Sequence, residues 1–533
     1  KWIIRATNDG FSAVISNKGT IVDKLDKGVS GVLNSSIDIT YNPPTSYTSG
    51  GYDMPYYLAL MLVFISVIIN LCIKIDLLIM PSSKTTIQFI NHASVRISYE
   101  DVSLLSDPWY FGDAFHKGWN LLVEQSTDEI MKIINSITHI WISHEHPDHF
   151  SISFFKNYEE LIKSQGIVIL FQETNDKRVK EFFTQNGFNF NELKFEQPFL
   201  ISNNYKITCI KDGFYDSALF IQTKDKKILN LNDCNVRTKS RANEIYKVTG
   251  KCDILLTQFS YAAWKGGKEN LSWRKLASKE KLNDIALQVK KFEPKQVIPF
   301  ASFVYFSNES NKYLNDSVNW PKDVSNKLKH MDVFVNIMKP FDYLDEINSL
   351  QKIKNASDFW EKKYSNISAY KYNKYNIVEI DELQQCFKKY QTRVFHNNNK
   401  YFIKFARVLS PIKIFQPITI KLQDTNKTIV LDIFLDSLKP SNLSADLVMS
   451  SESLKFILSF PFGFDTLTVN GCFEEENNNG FIKASKSLAI ENLNNIGIMF
   501  SPSIFYNLTV IFMFLKQLKK VANKQQLNSN PTI

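Results

Sequence analysis

Histidine is scarce in this 533-residue chain, with only eight in all. Cysteine is scarcer still. The six (Cys72, Cys209, Cys234, Cys252, Cys386 and Cys472) include no Cys-x-x-Cys, and no Cys-x-His is matched to a Cys-x-x-His. A disulfide scaffold, a zinc ribbon and a Rieske cluster are therefore unsupported, and reduced thiols in a cytoplasmic setting are expected. Long runs of one charge sign are also missing. The formal charge is +9, but the lysines are interleaved with Asp and Glu, which reads as general solubility rather than a nucleic-acid surface. With 44% hydrophobic and 22% charged residues the composition is globular, and the length allows roughly three domains.

Against that scarcity, three histidines and an aspartate fall within six positions of Thr138-His139-Ile140-Trp141-Ile142-Ser143-His144-Glu145-His146-Pro147-Asp148-His149-Phe150. An apolar, β-branched run ends there abruptly. Imidazole and carboxylate are the usual ligands of zinc, iron and manganese, and a strand end aims several of them at one point. His144 and His146 alternate and so share one side of an extended segment. Asp148 and His149 follow where the chain turns, facing a second metal or completing the first.

The spacing His-x-His-x-Asp-His resembles the metal motif of the metallo-β-lactamase superfamily. That resemblance implies an α/β fold, an αββα sandwich over residues 84–345. Strands at Ile87–Ile90, Val95–Tyr99, Val102–Leu105, Ile167–Phe171, Tyr205–Ile210, Leu219–Ile221, Lys227–Leu231 and Asp253–Thr257 fit it, with a helix over Glu129–Ile137. It also implies a carboxylate shared by two metals about a hundred residues downstream at a strand end, where Asp233 stands. A further ligand, most often histidine, is implied just before that strand. No histidine occurs between His149 and His330, and Asp216 occupies the place, hardening the site toward iron, manganese or magnesium. The last histidine of the standard set is missing as well. Asn308 stands at roughly its place, which predicts a weak or empty second site. His92 and Asn308 are candidates for the pocket wall. His116 and Asp148 are the candidate catalytic groups, Asp148 as proton acceptor or second-metal ligand.

More closely, several stretches resemble the metallo-β-lactamase-like part of CMP-N-acetylneuraminate hydroxylase and its bacterial relatives. They are Ser106-Asp107-Pro108-Trp109-Tyr110-Phe111-Gly112, Ala114-Phe115-His116-Lys117-Gly118-Trp119, Trp141 to His149, Asn232-Asp233-Cys234-Asn235, Thr257 to Ala262 and Asn311 to Asp316. The resemblance covers residues 84–340. The sialic-acid enzyme has an amino-terminal Rieske domain, whereas this chain begins otherwise, so the monooxygenase activity requires a separate electron donor.

The chain opens on Lys1 rather than methionine, as a segment of a longer frame or a processed product would. Residues Trp2 to Ile15 and Gly19 to Val22 read as two strands around a turn. Tyr56–Ile73 is uncharged and long enough for a membrane helix. Trp2 to Ile15, Gly19-Thr20-Ile21 and the hydrophobic helix together resemble the carboxy-terminal end of apolipoprotein N-acyltransferase. That family's catalytic residues lie upstream, so none is carried over. The division is then 1–54, acyltransferase-like fragment; 55–80, membrane helix and linker; 84–345, metal domain; and 350–533, a carboxy-terminal α+β domain. Lys74 and Lys84 follow the span, and basic flanks favour the cytoplasmic side, so a single-pass protein of a bacterial inner membrane with a cytoplasmic metal domain is expected.

In the last part Tyr401–Phe405, Pro417–Leu422 and Thr428–Ile433 read as strands, Ser450–Leu458 as a capped helix and Ile504–Leu515 as a packed helix. The order vaguely resembles a sterol-carrier-like fold. The resulting expectation is a metal-dependent hydrolase of a small molecule, with one or two zinc ions, or iron or manganese. The alternatives are a non-haem iron monooxygenase of a CMP-sialic-acid-like amino sugar and a non-catalytic remnant fused to the acyltransferase.

Overall fold

The computed structural model describes residues 1–8, 10–39, 53–79, 84–344 and 350–506. It divides into two compact units, Lys1–Ser82 and Ser83–Ile533.

In the first unit Ile3–Arg5, Ser12–Ile15 and Ile21–Leu25 form an antiparallel sheet in that order. The single strand expected over Trp2–Ile15 is two strands. The Thr7 N–H donates to Ser12 Oγ and the Thr7 hydroxyl to Phe11 O, closing a local turn in competition with the ladder. The turn at Ser16–Gly19 has Gly19 at φ 82°, where a side chain would be strained. Met54–Ile79 is one α-helix, with Tyr56 and Tyr57 exposed near its start. The side chains of 68–73, the last third of the expected span, lie outside the described residues. No helix among the described residues is long and apolar enough to cross a membrane. The membrane segment, and the inner-membrane location resting on it, therefore have no support here.

The second unit holds the expected αββα sandwich. One sheet runs in the order Asn189–Leu193, Val168–Gln172, His139–Ile142, Val102–Ser106, Ser94–Tyr99, Thr86–Asn91. The other runs Pro198–Ser202, Tyr205–Asp212, Asp216–Thr223, Lys227–Asn230, Ile254–Gln258, Gln296–Phe300, Phe334–Val335. The alternation of strand side chains sorts the core. Leu104, Trp141 and Leu170 face inward against Leu229 and Leu255. Leu105, Ile140, Ile142, Ile169 and Phe171 face outward under helices that supply Ile130, Ile133, Phe154 and Phe183. Strands buried on both faces need this continuous apolarity, which is why Ile140-Trp141-Ile142 carries no polar residue. The first of these helices begins at Thr127, not Glu129, because Ser126 closes a capping box with Glu129.

The helix Leu350–Ser365 packs on the sandwich, with Trp360 buried against Phe303 and its indole N–H donating to Met338 O. Beyond it lies a five-stranded sheet, Lys439–Pro440, Lys427–Leu431, Ile418–Leu422, Leu447–Met449, Phe473–Glu475, with helices around it. Its core is shared with Trp109, Phe115 and Trp119 of the sandwich loops. The strand expected at Tyr401–Phe405 is instead part of the helix Lys400–Leu409, capped by Asn399, whose side chain accepts from the Phe402 N–H. The helix Ser451–Ser459 starts where expected, capped by Ser450. Most of the helix expected at Ile504–Leu515 lies outside the described residues. The five cysteines among the described side chains are all unpaired.

Candidate metal centre

The site is built where strands of both sheets end. The strand His139–Ile142 stops, and its next residue, Ser143, is held by the carboxylate of Asp107 from the end of the neighbouring strand. Asp107 Oδ1 accepts the Ser143 N–H at 2.7 Å, and Oδ2 accepts its hydroxyl at 2.8 Å. Asn232, at φ 48° just beyond the strand Lys227–Asn230, donates its side-chain amide to the same Oδ2. Asp107 thereby ties the histidine loop to the loop that carries Asp233.

His149 Nδ1 also lies 3.0 Å from Asp107 Oδ2. A carboxylate at Nδ1 fixes the tautomer with the proton there and leaves Nε2 to bind a metal. His144 is treated alike: its Nδ1 lies 2.9 Å from Ser143 Oγ, whose own proton is committed to Asp107. Its Nε2 is left facing His146 Nδ1 at 2.9 Å and Asp216 Oδ1 at 3.6 Å.

Three overlapping groups of ligand atoms result: His144, His146 and Asp216; His144, His149 and Asp233; His92, Asp148 and His149. All six residues expected as ligands lie in these groups, joined by His92, expected only in the pocket wall. Asp216 opens the strand Asp216–Thr223, and Asp233 lies 3.5 Å from His149 Nε2. His92 Nε2 is 3.3 Å from Asp148 Oδ2. His144 and His149 each belong to two groups, so the arrangement suits two neighbouring ions.

Its electrostatics fit that occupancy. His149 Nε2 lies 3.2 Å from Asp148 Oδ2, yet forms no hydrogen bond, and Asp148 Oδ1 and His92 Nδ1 are likewise buried without partners. Buried polar atoms are rarely orphaned, and donors converging on one point need a cation. In the metal-free protein, burial opposes a charge on His149, but Asp148, Asp233 and Asp107 outweigh it and hold its pKa well above the usual range. Burial likewise works against a charged His146, yet the hydrogen bond and charge of Asp465 raise it to about 9. Burial and the charge of Asp233 push Asp216 up to about 7, against the pull of His146. These protons stand where divalent ions would relieve the same crowding of carboxylates.

Two expected site residues stand apart from the ligand groups. His116 is stacked between Phe456 and Tyr375, with ring centroids at 4.1 and 5.1 Å, and burial lowers its pKa. It lines a cavity beside His146 but joins no ligand group. Asn308 is buried, accepts from the Ser310 N–H and donates toward Lys117 O. It shapes a turn, as a side-chain amide next to free backbone groups does, and does not stand in for the missing histidine.

Sequence reasoning missed Asp107, Asp465 and Gln258 as parts of the site. Asp107 stands in a stretch that carries the hydroxylase resemblance, Ser106 to Gly112, with no role assigned to it there. Gln258 Nε2 donates to Asp233 Oδ1 at 3.0 Å and is itself held by the Lys281 ammonium. Asp465 lies 3.5 Å from His146 and comes from the carboxy-terminal helix Gly463–Asn470, with no local signal pointing to it. Replacing Asp107 by alanine is expected to lower metal affinity by about 10–100-fold, through a His149 ring no longer held in tautomer and orientation. Chelator competition on the folded variant measures this, and an unchanged affinity would remove Asp107 from the site.

No protein-family model matches the chain. Among curated proteins it is 27% identical over 278 residues to the inactive cytidine monophosphate-N-acetylneuraminic acid hydroxylase of Homo sapiens, a match covering 49% of this chain and 54% of the relative. The hydroxylase of Macaca mulatta is also 27% identical, over 49% of this chain and 45% of its own length. The chain thus spans about half the length of the curated relatives it matches. Among solved structures, CmlA, a diiron β-hydroxylase from Streptomyces venezuelae, superimposes with a TM-score of 0.36 at 11% identity, over 49% of this chain and 54% of the other. A possible metal-dependent hydrolase from Veillonella parvula gives 0.38 at 14%, over 49% and 98%. Both structural likenesses are too distant to bear on chemistry. Nothing in these relatives supports the acyltransferase-like reading of the opening residues. Over about half its length the chain is similar in sequence to the cytidine monophosphate-N-acetylneuraminic acid hydroxylases, and its sandwich has a metallo-β-lactamase-like fold.

Proposed function

We propose that this chain is a hydroxylase with two non-haem iron ions, in place of the zinc hydrolase that the motif alone suggests. The observation carrying this is Asp216 beside His144, where the superfamily pattern implies an imidazole. With it the donor set becomes four imidazoles and three carboxylates, a mixture harder than zinc sites prefer and suited to iron or manganese. The half-chain similarity to hydroxylases such as that of Macaca mulatta supports the same reading.

His144, His146 and Asp216 would hold one ion, and His92, Asp148 and His149 the other, and Asp233, grouped with His144 and His149, would be available to either. Bound iron would supply the redox chemistry that dioxygen activation needs, with electrons from a separate protein. The protein's own part is orientation and exclusion of water. Asp107 and Ser143 fix the tautomers of His149 and His144, and Gln258 occupies one oxygen of Asp233 so that the other faces His149. Trp109 stands edge-on to His92 at 5.6 Å and Phe115 edge-on to His146 at 5.5 Å, walling the donors from bulk water.

The hydrolase reading keeps one observation. Asp148 Oδ1 is buried with no hydrogen-bond partner, available to accept a proton from an attacking water. Metal analysis and oxygen uptake separate the two. About two iron ions per chain and reductant-dependent oxygen consumption are expected. Zinc alone, with ester or phosphodiester hydrolysis and no oxygen uptake, would overturn the hydroxylase in favour of the hydrolase.

A further inference from the structure

A cavity of 480 Å³, within the range of small-molecule sites, has His146 in its wall. Loops of the sandwich form one side and the helices Ser451–Ser459 and Gly463–Asn470 the other. Its apolar lining is largely aromatic, from Phe115, Phe150, Phe182, Phe456 and Phe462.

The charged lining is one-sided. Asp113, Glu145, Asp176 and Asp465 face a single guanidinium, Arg178. That guanidinium is already committed: Arg178 Nε donates to Asp176 at 2.7 Å, and its carbon lies 5.9 Å from the centre of the Phe462 ring. Asp113 and Glu145 then remain without a cationic side chain in contact among the lining residues, and Asp465 meets only His146. The two histidines of the wall do not reverse the balance. Burial lowers the His116 pKa, and His146 is taken up by Asp465 and by the ligand group it forms with His144 and Asp216.

We infer that this cavity binds a cationic organic substrate, an ammonium group on an apolar or aromatic body, and rejects anionic nucleotide sugars. Aromatic faces and carboxylates together stabilise an organic cation, the faces through their quadrupoles and the carboxylates by charge. A phosphate and a sugar carboxylate in the same space would meet uncompensated negative charge at low dielectric. Unlike the relatives' named substrate, a CMP-linked acid, such a ligand complements both the carboxylates and the aromatic faces of the lining. The inference rests on the proposed function only in taking this cavity as the approach to the metal centre.

Calorimetric titration of the full chain, as purified with its metal, tests it with three probes: phenylpropyltrimethylammonium, 3-phenylpropanol and cytidine monophosphate. The quaternary ammonium has no lone pair and cannot coordinate a metal. It is expected to bind about tenfold more tightly than the alcohol, a preference of about 1.4 kcal/mol, and cytidine monophosphate is expected not to displace it. In folded Glu145→Gln/Asp465→Asn protein the preference should shrink to near equality. Equal binding of ammonium and alcohol by the unaltered chain, displacement by cytidine monophosphate, or a preference unmoved in the double variant would each overturn the inference. Finding zinc instead of iron would sink the hydroxylase proposal while leaving this preference intact, so the two fail separately.

Discussion

Protein carrying His144→Ala or His149→Ala is expected to emerge from purification nearly free of metal. Each histidine offers one free ring nitrogen, His144 to the ion position with His146 and Asp216 and His149 to that with His92 and Asp148, and each also lies in the group of Asp233, so either truncation strips its own position and disturbs the carboxylate beside both. Losing an orienting partner costs about 10–100-fold in affinity, and losing a ligand itself should exceed the upper end of that range. His146 belongs to one group only, so His146→Ala should empty one position and leave the other partly filled. Metal content by mass spectrometry gives the order: about two ions in the unaltered chain, fewer in His146→Ala, close to none in the other two. Circular dichroism should show all three folded, because burial here serves the ions rather than the apolar core. Full metal content in both His144→Ala and His149→Ala would remove the site.

That these residues would come together was legible in the sequence for a local reason. The strand His139–Ile142 and the turn after it hold four of the donors within six residues, so adjacency in sequence became adjacency in space. Asp216 and Asp233 could be placed because each lies at a strand end of a recognisable sandwich. What holds the donors was less visible. Asp107 acts across two strands through Ser143, and Lys281 acts through Gln258, couplings that exist only after the sheets align. Asp465 reaches His146 only because the carboxy-terminal helices fold back over the loops. The misread stretch Tyr401–Phe405 failed differently. Its aromatic and β-branched residues favour a strand, but only Ile403 is buried, and the Asn399 cap decides for the helix. Asn308 was placed by counting from a pattern, whereas its amide is used up by the backbone around it.

Trp360→Ala is expected to destabilise the sandwich unit by about 3–5 kcal/mol, the cost typical of emptying a buried tryptophan site. The indole is fully buried, 4.2 Å from the Phe303 ring centre and 6.4 Å from that of Phe89, and its N–H satisfies Met338 O. The helix that carries it also holds Tyr364, whose hydroxyl donates to Ser302 O at 2.9 Å. Ser302 Oγ in turn accepts the N–H groups of Phe259 and Ser260, next to Gln258, and Ala301 donates to His92 O. A helix that sequence division places with the carboxy-terminal part thus supports two loops of the metal centre. Trp360→Phe keeps most of the ring contact and loses the hydrogen bond, leaving a buried carbonyl unsatisfied at about 1–3 kcal/mol. Urea unfolding should therefore rank the unaltered chain above Trp360→Phe and both above Trp360→Ala. Metal affinity should fall in the alanine variant even at temperatures where it stays folded, because the loops bearing His92 and Gln258 lose their backing. An alanine variant within about 1 kcal/mol of the unaltered chain, or one binding metal equally well, would show that the helix merely covers the sandwich.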